Sequence, residues 1–203
     1  ELRLSTGTGK GGLTWQDCGG IAPCADAQAF AGRAPAYKGF RGVGESHFVK
    51  VFFEAPLFDD EGHKLTNACI KRVLIDDVMI HESIEVPGPT VGAPFTDERP
   101  EGPLALAGTS FCIFQGIAAR AMGQPIDNRG YQRIFNGVSI DGWHNPEQGD
   151  WRVEDGCIVG RGKATHLFSP RGDYKNIELR ARVKINDAGT SGFYFRATTG
   201  PSC

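Results

Sequence analysis

The sequence predicts an all-β protein, an antiparallel β-sandwich of the jelly-roll type. Apolar and polar residues alternate in many short runs, as in HFVKVFFEAP at residues 47–56, and this period is typical of half-buried strands. The 28 Gly and 12 Pro among 203 residues suit tight turns between such strands. Helical periodicity is nearly absent, since AQAFAGRA at residues 27–34 is long enough for only a turn of helix.

Two hairpins are predicted from turn residues that lie between strand patterns. Residues 68–86, ACIKRVLIDDVMIHESIEV, contain two strands with Asp76 and Asp77 at the position of a two-residue turn. Asp155 and Gly156 separate WRV from CIV, and Asp-Gly is a strong signal for a type I′ turn. Both hairpins imply antiparallel neighbours.

Further strand patterns complete the prediction of about twelve short strands. Residues 102–121, GPLALAGTSFCIFQGIAARA, predict two strands that are broken near Gly108. Residues 176–187 alternate cleanly, and residues 191–197 form the next strand pattern after a turn that contains Gly. GQPIDNRG at residues 123–130 is polar and rich in turn residues, so it is the predicted linker. This number of short strands favours a sandwich.

Charge and hydropathy exclude two classes of partner. The net charge of −2 argues against nucleic acid or an anionic membrane as the main partner, because those require clustered Lys and Arg. No apolar run approaches the ~20 residues that a membrane helix requires.

The six cysteines match no zinc-binding signature, so no metal ligands are predicted from them. Cys69, Cys112 and Cys157 lie inside strand patterns and are expected to be small core residues. Cys18 and Cys24 share a loop rich in Gly and Pro, where a disulfide between them is left open.

Two segments of the sequence resemble the two halves of a known family. Residues 133–162, RIFNGVSIDGWHNPEQGDWRVEDGCIVGRG, and residues 173–196, DYKNIELRARVKINDAGTSGFYFR, resemble the first half of the 3-keto-disaccharide hydrolase domain. ELRL, WQDCGGI, FFEAPLFDDEG, IDDVMIHESIEV and GPLALAGTSFCIFQGIAAR, all in residues 1–120, resemble its second half. The resemblance covers nearly the whole chain, with the halves in permuted order.

The permuted order predicts one jelly-roll domain over residues 1–203. Residues 1–122 would supply the family's second half and residues 131–203 its first half, joined by the linker at 123–130. Either a circular permutant or a piece of a tandem pair satisfies this prediction. If the sandwich closes, residues 1–4 pair antiparallel with residues 193–196; exchange of halves between two chains is the alternative.

The resemblance implies a concanavalin-A-like jelly roll that acts on carbohydrate. Some members of the family are linked to glycosides whose sugar carries a 3-ketone. Such a ketone acidifies the C2 proton, so a base, a stabiliser of the enolate and an acid would suffice for elimination. Direct displacement would require two carboxylates at a set separation instead.

Candidate site residues follow from the strand faces and from the family motifs. Glu1 and Arg3 share one face of the first strand, as Tyr194 and Arg196 share one face of the last. The predicted catalytic residues are Glu1, Asp17 and His81, and the predicted substrate-binding residues are Arg3, Trp15, Gln16, Tyr194 and Arg196.

Structural roles for the same residues are alternatives that the sequence leaves open. Glu1 and Arg3 also fit a solvated strand face, Asp17 a turn beside two glycines, and His81 an exposed position in a hairpin. The family's Gln and His are absent from residues 107–110.

These departures keep a second function open, a non-catalytic carbohydrate-binding or structural module of a larger secreted bacterial protein. An extracellular or periplasmic location is expected in either case. No cofactor is predicted. A divalent cation such as calcium is conceivable, as in jelly-roll lectins, although no cluster of oxygen ligands is legible.

Overall fold

The computed structural model describes residues 1–5, 12–39, 42–91, 93, 98–123, 129–186 and 189–195. Within these residues it contains twelve β-strands and no helix. The strands are β1 (Leu2–Ser5), β2 (Ser46–Glu54), β3 (Leu57–Phe58), β4 (Lys64–Thr66), β5 (Ala68–Ile75), β6 (Val78–Val86), β7 (Leu104–Ala121), β8 (Gln132–Arg133), β9 (Asp150–Glu154), β10 (Cys157–Phe168), β11 (Ile177–Ile185) and β12 (Thr190–Phe195). In this described part of the chain, no helix is long and apolar enough to cross a membrane.

The 18-residue strand β7 organises the fold. The prediction of two strands broken near Gly108 is wrong, because β10 pairs with β7 on both sides of that glycine. Gly108 is a packing residue: a Cβ there would lie 2.4 Å from Cys112 Sγ and 3.1 Å from a ring carbon of Trp151. Just beyond it, Ser110 adopts a positive φ of 64° and the register of β10 shifts after Gly162, so the paired strands bend there.

β7 belongs to both layers of the sandwich. Its first half pairs with β12, and β12 pairs with β1. Its second half pairs with β11. From β11 the sheet continues with β2, then β5, and ends at β6. All of these pairings are antiparallel, and together with β8, β9 and β10 they form one ten-stranded sheet that curls over itself.

Aromatic side chains join the inner faces of the two layers. Phe53 of β2 stacks on Phe195 of β12, with ring centroids 4.8 Å apart. Phe114 of β7 meets Phe193 of β12 edge to face at 5.5 Å, and both side chains are fully buried. The predicted all-β antiparallel sandwich is therefore confirmed.

Residues 12–39 close the open side of the sandwich, between the terminal strands β1 and β6. The amide of Arg3 donates to the Gly20 carbonyl at 2.7 Å, and the amide of Gly19 donates to the Arg3 carbonyl at 2.8 Å. On the other side, the amide of Ala36 donates to the Ile80 carbonyl in β6 at 3.2 Å. This segment satisfies part of the edge of β1.

The predicted hairpin turns are confirmed by their backbone angles. Asp76 and Asp77 have φ values of 50° and 64°, and Asp155 and Gly156 have values of 49° and 74°. Positive φ at both central residues is what a two-residue type I′ turn requires.

The predicted neighbourhood of the first and last strands is also confirmed, with a different register. Leu2 pairs with Phe193 and Ser5 with Thr190, so the pairing is offset by two residues from the prediction. The ten-stranded sheet contains strands from both predicted segments, 1–122 and 131–203. Arg196 and linker residues 124–128 lie outside the described residues.

The cysteines are free thiols where the structure describes them. Cys18 and Cys24 are both buried and unbridged, so the disulfide left open between them does not form. Cys112 is fully buried as predicted, whereas Cys69 and Cys157 are only half-buried.

Closure of the sandwich can be tested at Phe193. We expect Phe193→Ala to lower the free energy of unfolding by about 3–5 kcal/mol, because the deleted ring leaves a cavity against Phe114. Val138→Ala is the control, since this side chain is 79% exposed and its loss should cost within about 0.5 kcal/mol. Urea denaturation measures both, and equal values for the two variants would contradict the shared core.

Candidate functional site

The candidate site is the outer face of β1, β12, β7 and β10, opposite the core. Along one row across these strands, Arg3 pairs with Gly192, Gly192 with Ala107, and Ala107 with His166. The two middle residues are small, so no large side chain stands between Arg3 and His166 along this row. We call Glu1, Arg3, Glu147, His166 and Tyr194 the acid–base face.

Glu1 and Tyr194 form a hydrogen-bonded pair on this face. The Tyr194 hydroxyl donates to Glu1 Oε2 at 2.8 Å. Burial is the main cause that raises the pKa of Tyr194, and the neighbouring Glu1 carboxylate raises it further. Tyr194 is therefore a hydrogen-bond donor over the whole neutral range.

Glycine at position 192 makes room for this pair. A Cβ at Gly192 would lie 2.7 Å from the Leu2 carbonyl oxygen and 2.9 Å from Glu1 Oε1. Any larger residue would therefore collide with the backbone of β1 and with the Glu1 carboxylate at once.

His166 and Glu147 form a second pair beside the first. Nδ1 of His166 lies 2.9 Å from Glu147 Oε1, and the ring of His166 meets the ring of Tyr194 edge to face at 4.9 Å. The side chain of His166 is 14% exposed. With Nδ1–H donating to the carboxylate, Nε2 carries the lone pair, and it has no hydrogen-bond partner among the described residues.

A tight loop between Asn145 and Gly149 places Glu147 over β10. The Asn145 side chain donates to the Gly149 carbonyl and accepts from the Gly149 amide, both at 2.8 Å. Gly149 approaches β10 so closely that a Cβ there would lie 2.0 Å from Thr165 Oγ1. The Glu147 carboxylate also accepts from the backbone amide of His166, so its position is fixed at two points.

Arg3 brings a positive charge to the face. Its guanidinium lies over the Trp15 ring, 5.4 Å from the centroid. Its charge lowers the pKa of Tyr194, but by less than burial and Glu1 raise it. Its Nε is buried and has no hydrogen-bond partner among the described residues. The predicted grouping of Glu1, Arg3, Tyr194 and Trp15 is thus present.

Asp17 and His81 form hydrogen bonds that hold the segment of residues 12–39. Asp17 is buried, and its carboxylate accepts from the amide and hydroxyl of Thr14 at 2.7 and 3.0 Å. His81 is buried, and its Nε2 donates to the Gly19 carbonyl at 2.6 Å. Burial lowers the pKa of His81, which keeps the ring neutral. Their catalytic role stays a prediction, and the contacts shown are structural.

The remaining predicted residues contribute less to the described geometry. Gln16 has an exposed side chain, and its carbonyl accepts from the Ser5 hydroxyl at 2.9 Å. Asp59, Glu61 and His63, at the turn between β3 and β4, can converge on a metal ion, but they include no residue of the acid–base face. The calcium site stays a prediction.

Sequence reasoning missed His166 and Glu147. They lie 19 positions apart in the sequence, and only the folding of the loop onto β10 brings them together. The available signal was the alternation around Leu167, which is fully buried and therefore turns His166 to the other face.

The fold and the face define an all-β sandwich with a polar, partly buried acid–base cluster on one sheet. Residues 130–202 match the family model described as the 3-keto-alpha-glucoside-1,2-lyase-like domain. This segment, which supplies His166, Glu147 and Tyr194, is therefore similar to that family, as its motifs predicted.

A curated relative agrees with this match. A 3-keto-disaccharide hydrolase of Bacteroides thetaiotaomicron is 33% identical over 85 residues, which cover 36% of this chain and 29% of that protein. The chain therefore matches less than a third of the length of this relative.

The fit of Glu1 over Gly192 can be tested by adding one methyl group. We expect Gly192→Ala to lower the free energy of unfolding by about 1–3 kcal/mol, because the new Cβ overlaps the Leu2 carbonyl. Gly172→Ala is the matched control, since its Cβ would lie 3.8 Å from Pro103, an ordinary contact. Thermal and urea denaturation measure both, and a neutral Gly192→Ala would contradict the close approach.

The raised pKa of Tyr194 has a direct spectroscopic consequence. At a pH of about 10, where an ordinary tyrosine is half ionised, Tyr194 should remain protonated. The tyrosinate absorbance of the wild type and of Tyr194→Phe should therefore coincide at that pH. A wild-type excess equal to half a tyrosinate would show instead that Tyr194 titrates normally.

Proposed function

We propose that this chain is a glycoside-cleaving domain that acts by elimination on a sugar carrying a ketone at C3. The observation that carries the proposal is the His166–Glu147 pair in contact with Tyr194. Together with Arg3, these residues place a base, a hydrogen-bond donor and a cation on one face. The matched family, a 3-keto-alpha-glucoside-1,2-lyase-like domain, and the similar 3-keto-disaccharide hydrolase support this chemistry.

His166 is the proposed base. Glu147 accepts from Nδ1–H and so fixes the tautomer in which Nε2 can take a proton. The carboxylate also stabilises the imidazolium that forms when Nε2 removes the C2 proton of the sugar. Glu147 is therefore a positioning residue for His166.

Tyr194 and Arg3 are the proposed stabilisers of the enolate. Removal of the C2 proton moves negative charge onto the oxygen at C3. The Tyr194 hydroxyl stays protonated because its pKa is raised, and the Arg3 guanidinium supplies the positive charge. On substrate binding, the Tyr194 hydroxyl would turn from Glu1 Oε2 to the sugar oxygen.

The second half of the reaction returns the proton. The electron pair of the enolate re-forms the C3 ketone, a double bond forms between C1 and C2, and the bond from C1 to the glycosidic oxygen breaks. The departing oxygen takes the proton held by the His166 imidazolium. Addition of water across the new double bond then gives the hydrolysed sugar, so no external reactant besides water is consumed.

Replacement of the proposed base should separate catalysis from binding. We expect His166→Ala to lower kcat on a 3-keto-disaccharide by about 10²–10⁴-fold with little change in KM, because only the proton transfer is lost. Glu147→Gln should also lower kcat, because the amide cannot stabilise the imidazolium. The loss should be smaller than in His166→Ala, because the base itself is still present. Deuterium at C2 should slow the wild type, as a direct displacement would not.

His63→Ala is the control, because that side chain is 73% exposed at the turn between β3 and β4 and should leave kcat unchanged. Thermal denaturation of each variant verifies the fold. Wild-type turnover that persists in His166→Ala would contradict the assignment of the base. Saccharide binding without any turnover would select the non-catalytic binding module instead.

A further inference from the structure

The centre of the acid–base face lies over the first half of β7. This part of β7 has β12 on one side and β10 on the other, so Ala107 lies directly between Gly192 and His166. Arg3 of β1 follows beyond Gly192. The backbone of Arg3 is three strand spacings, about 14 Å, from the backbone of His166. Gly192 and Ala107 occupy the two positions between these ends, and we call these two residues the floor.

The floor is open, whereas the next outward residue of β7 is covered. Ala105 lies between Tyr194 and Phe168, and none of its surface is exposed. Ala107 has the same side chain in the same strand and is only half-buried. The neighbours explain the difference, because aromatic side chains flank Ala105 while Gly192 flanks Ala107. The Ala107 methyl group is therefore accessible beside the two rings that carry the proposed chemistry.

Hydrogen bonds fix the backbone of the floor. The Ser191 hydroxyl donates to the Ala107 carbonyl at 2.7 Å. The hydroxyl of Thr109 donates to the Thr190 carbonyl and accepts from the Thr190 amide, both at 3.1 Å. A Cβ at Gly192 would lie 2.7 Å from a backbone oxygen of β1, so this position admits no side chain. Because the backbone is fixed, the side chain at position 107 sets the height of the floor.

The chemistry proposed for His166 decides which face of the sugar meets the floor. A proton beside a ketone is removed along the axis of the carbonyl π orbitals, so the base approaches the ring face that carries the axial C2 proton. His166 is the direct neighbour of Ala107 in the sheet, so the base and the floor lie on the same side of the sugar. In a ring of glucose configuration, the C4 proton is axial on that same face. In the C4 epimer, the C4 hydroxyl takes its place.

We propose that the floor seats the reacting sugar ring and that Ala107 makes the site selective for the glucose configuration at C4 over its epimer. In the glucose configuration, only hydrogen atoms project axially towards the Ala107 methyl group. In the epimer, an axial hydroxyl would press against this methyl group and lift the C2 proton away from His166. The inference rests on the proposed function, because it takes His166 as the base. Ala107 is thus a specificity-determining residue and has no part in proton transfer.

Release of nitrophenolate from the 3-keto derivatives of 4-nitrophenyl α-glucoside and 4-nitrophenyl α-galactoside tests the proposal. We expect kcat/KM of the wild type to be at least about tenfold higher for the glucoside, a discrimination typical of a small misfit in an apolar contact. Ala107→Gly should bring this ratio towards one, because a lower floor admits the axial hydroxyl. Ala107→Leu should lower kcat/KM on the glucoside at least about tenfold, mainly through KM, because it raises the floor.

Ala121→Gly and Ala121→Leu are the matched controls, since Ala121 is an exposed residue at the far end of the same strand. Neither should change the ratio of kcat/KM between the two substrates, and thermal denaturation verifies the fold of each variant. An equal or reversed preference of the wild type would overturn the proposal. An unchanged ratio in Ala107→Gly would do the same.

A second measurement separates failure of this proposal from failure of the proposed function. If the wild type releases nitrophenolate from neither substrate, the proposed elimination is wrong and binding alone decides on the floor. NMR titration with methyl α-glucoside and methyl α-galactoside measures this binding, since both sugars lack the ketone and cannot react. Preferred binding of the glucoside that is weakened in Ala107→Leu and kept in Ala121→Leu would support the floor without the elimination. Binding of neither sugar, or equal binding by the two Leu variants, would overturn it.

Discussion

The continuity of the long strand β7 through both layers is the constraint on which the rest of the structure depends. β10 follows one edge of this strand, from Phe114 to Ala105, while β11 and β12 divide the other edge between them. Because one strand runs through both layers, the layers cannot separate without breaking its pairing. The stacked pair Phe53 and Phe195 and the edge-to-face pair Phe114 and Phe193 then fix the distance between the layers.

The buried polar residues His81 and Asp17 hold the segment of residues 12–39 through hydrogen bonds. His81 in β6 donates to the Gly19 carbonyl, and the Gly19 amide donates to the Arg3 carbonyl in β1. A chain of hydrogen bonds therefore runs from one end of the sheet to the other. Asp17 stabilises the turn that begins this segment through Thr14. Both residues thus support the position of Arg3, although neither lies on the acid–base face.

The alternation of apolar and polar residues, together with the residues that favour turns, was sufficient to predict most of the strands. They failed at Gly108, where a glycine signalled a break although its lack of a side chain serves the packing of Trp151. The grouping of Glu1, Arg3 and Tyr194 could be predicted because neighbouring strands bring them together. The pair of His166 and Glu147 could not, because a loop fold encoded by Asn145 and Gly149 positions it.

The two outer faces differ in charge, and the net charge of −2 conceals the difference. On one face, the Glu1 and Glu147 carboxylates accept hydrogen bonds from the Tyr194 hydroxyl and the His166 ring. On the other, Arg182 of β11 lies over the Phe48 ring of β2, and an aromatic ring positions a guanidinium without neutralising it. Charge held by a ring remains available to a ligand, whereas charge held by a carboxylate does not. Arg3 on the acid–base face lies over the Trp15 ring in the same way, so each face offers a guanidinium to an anion.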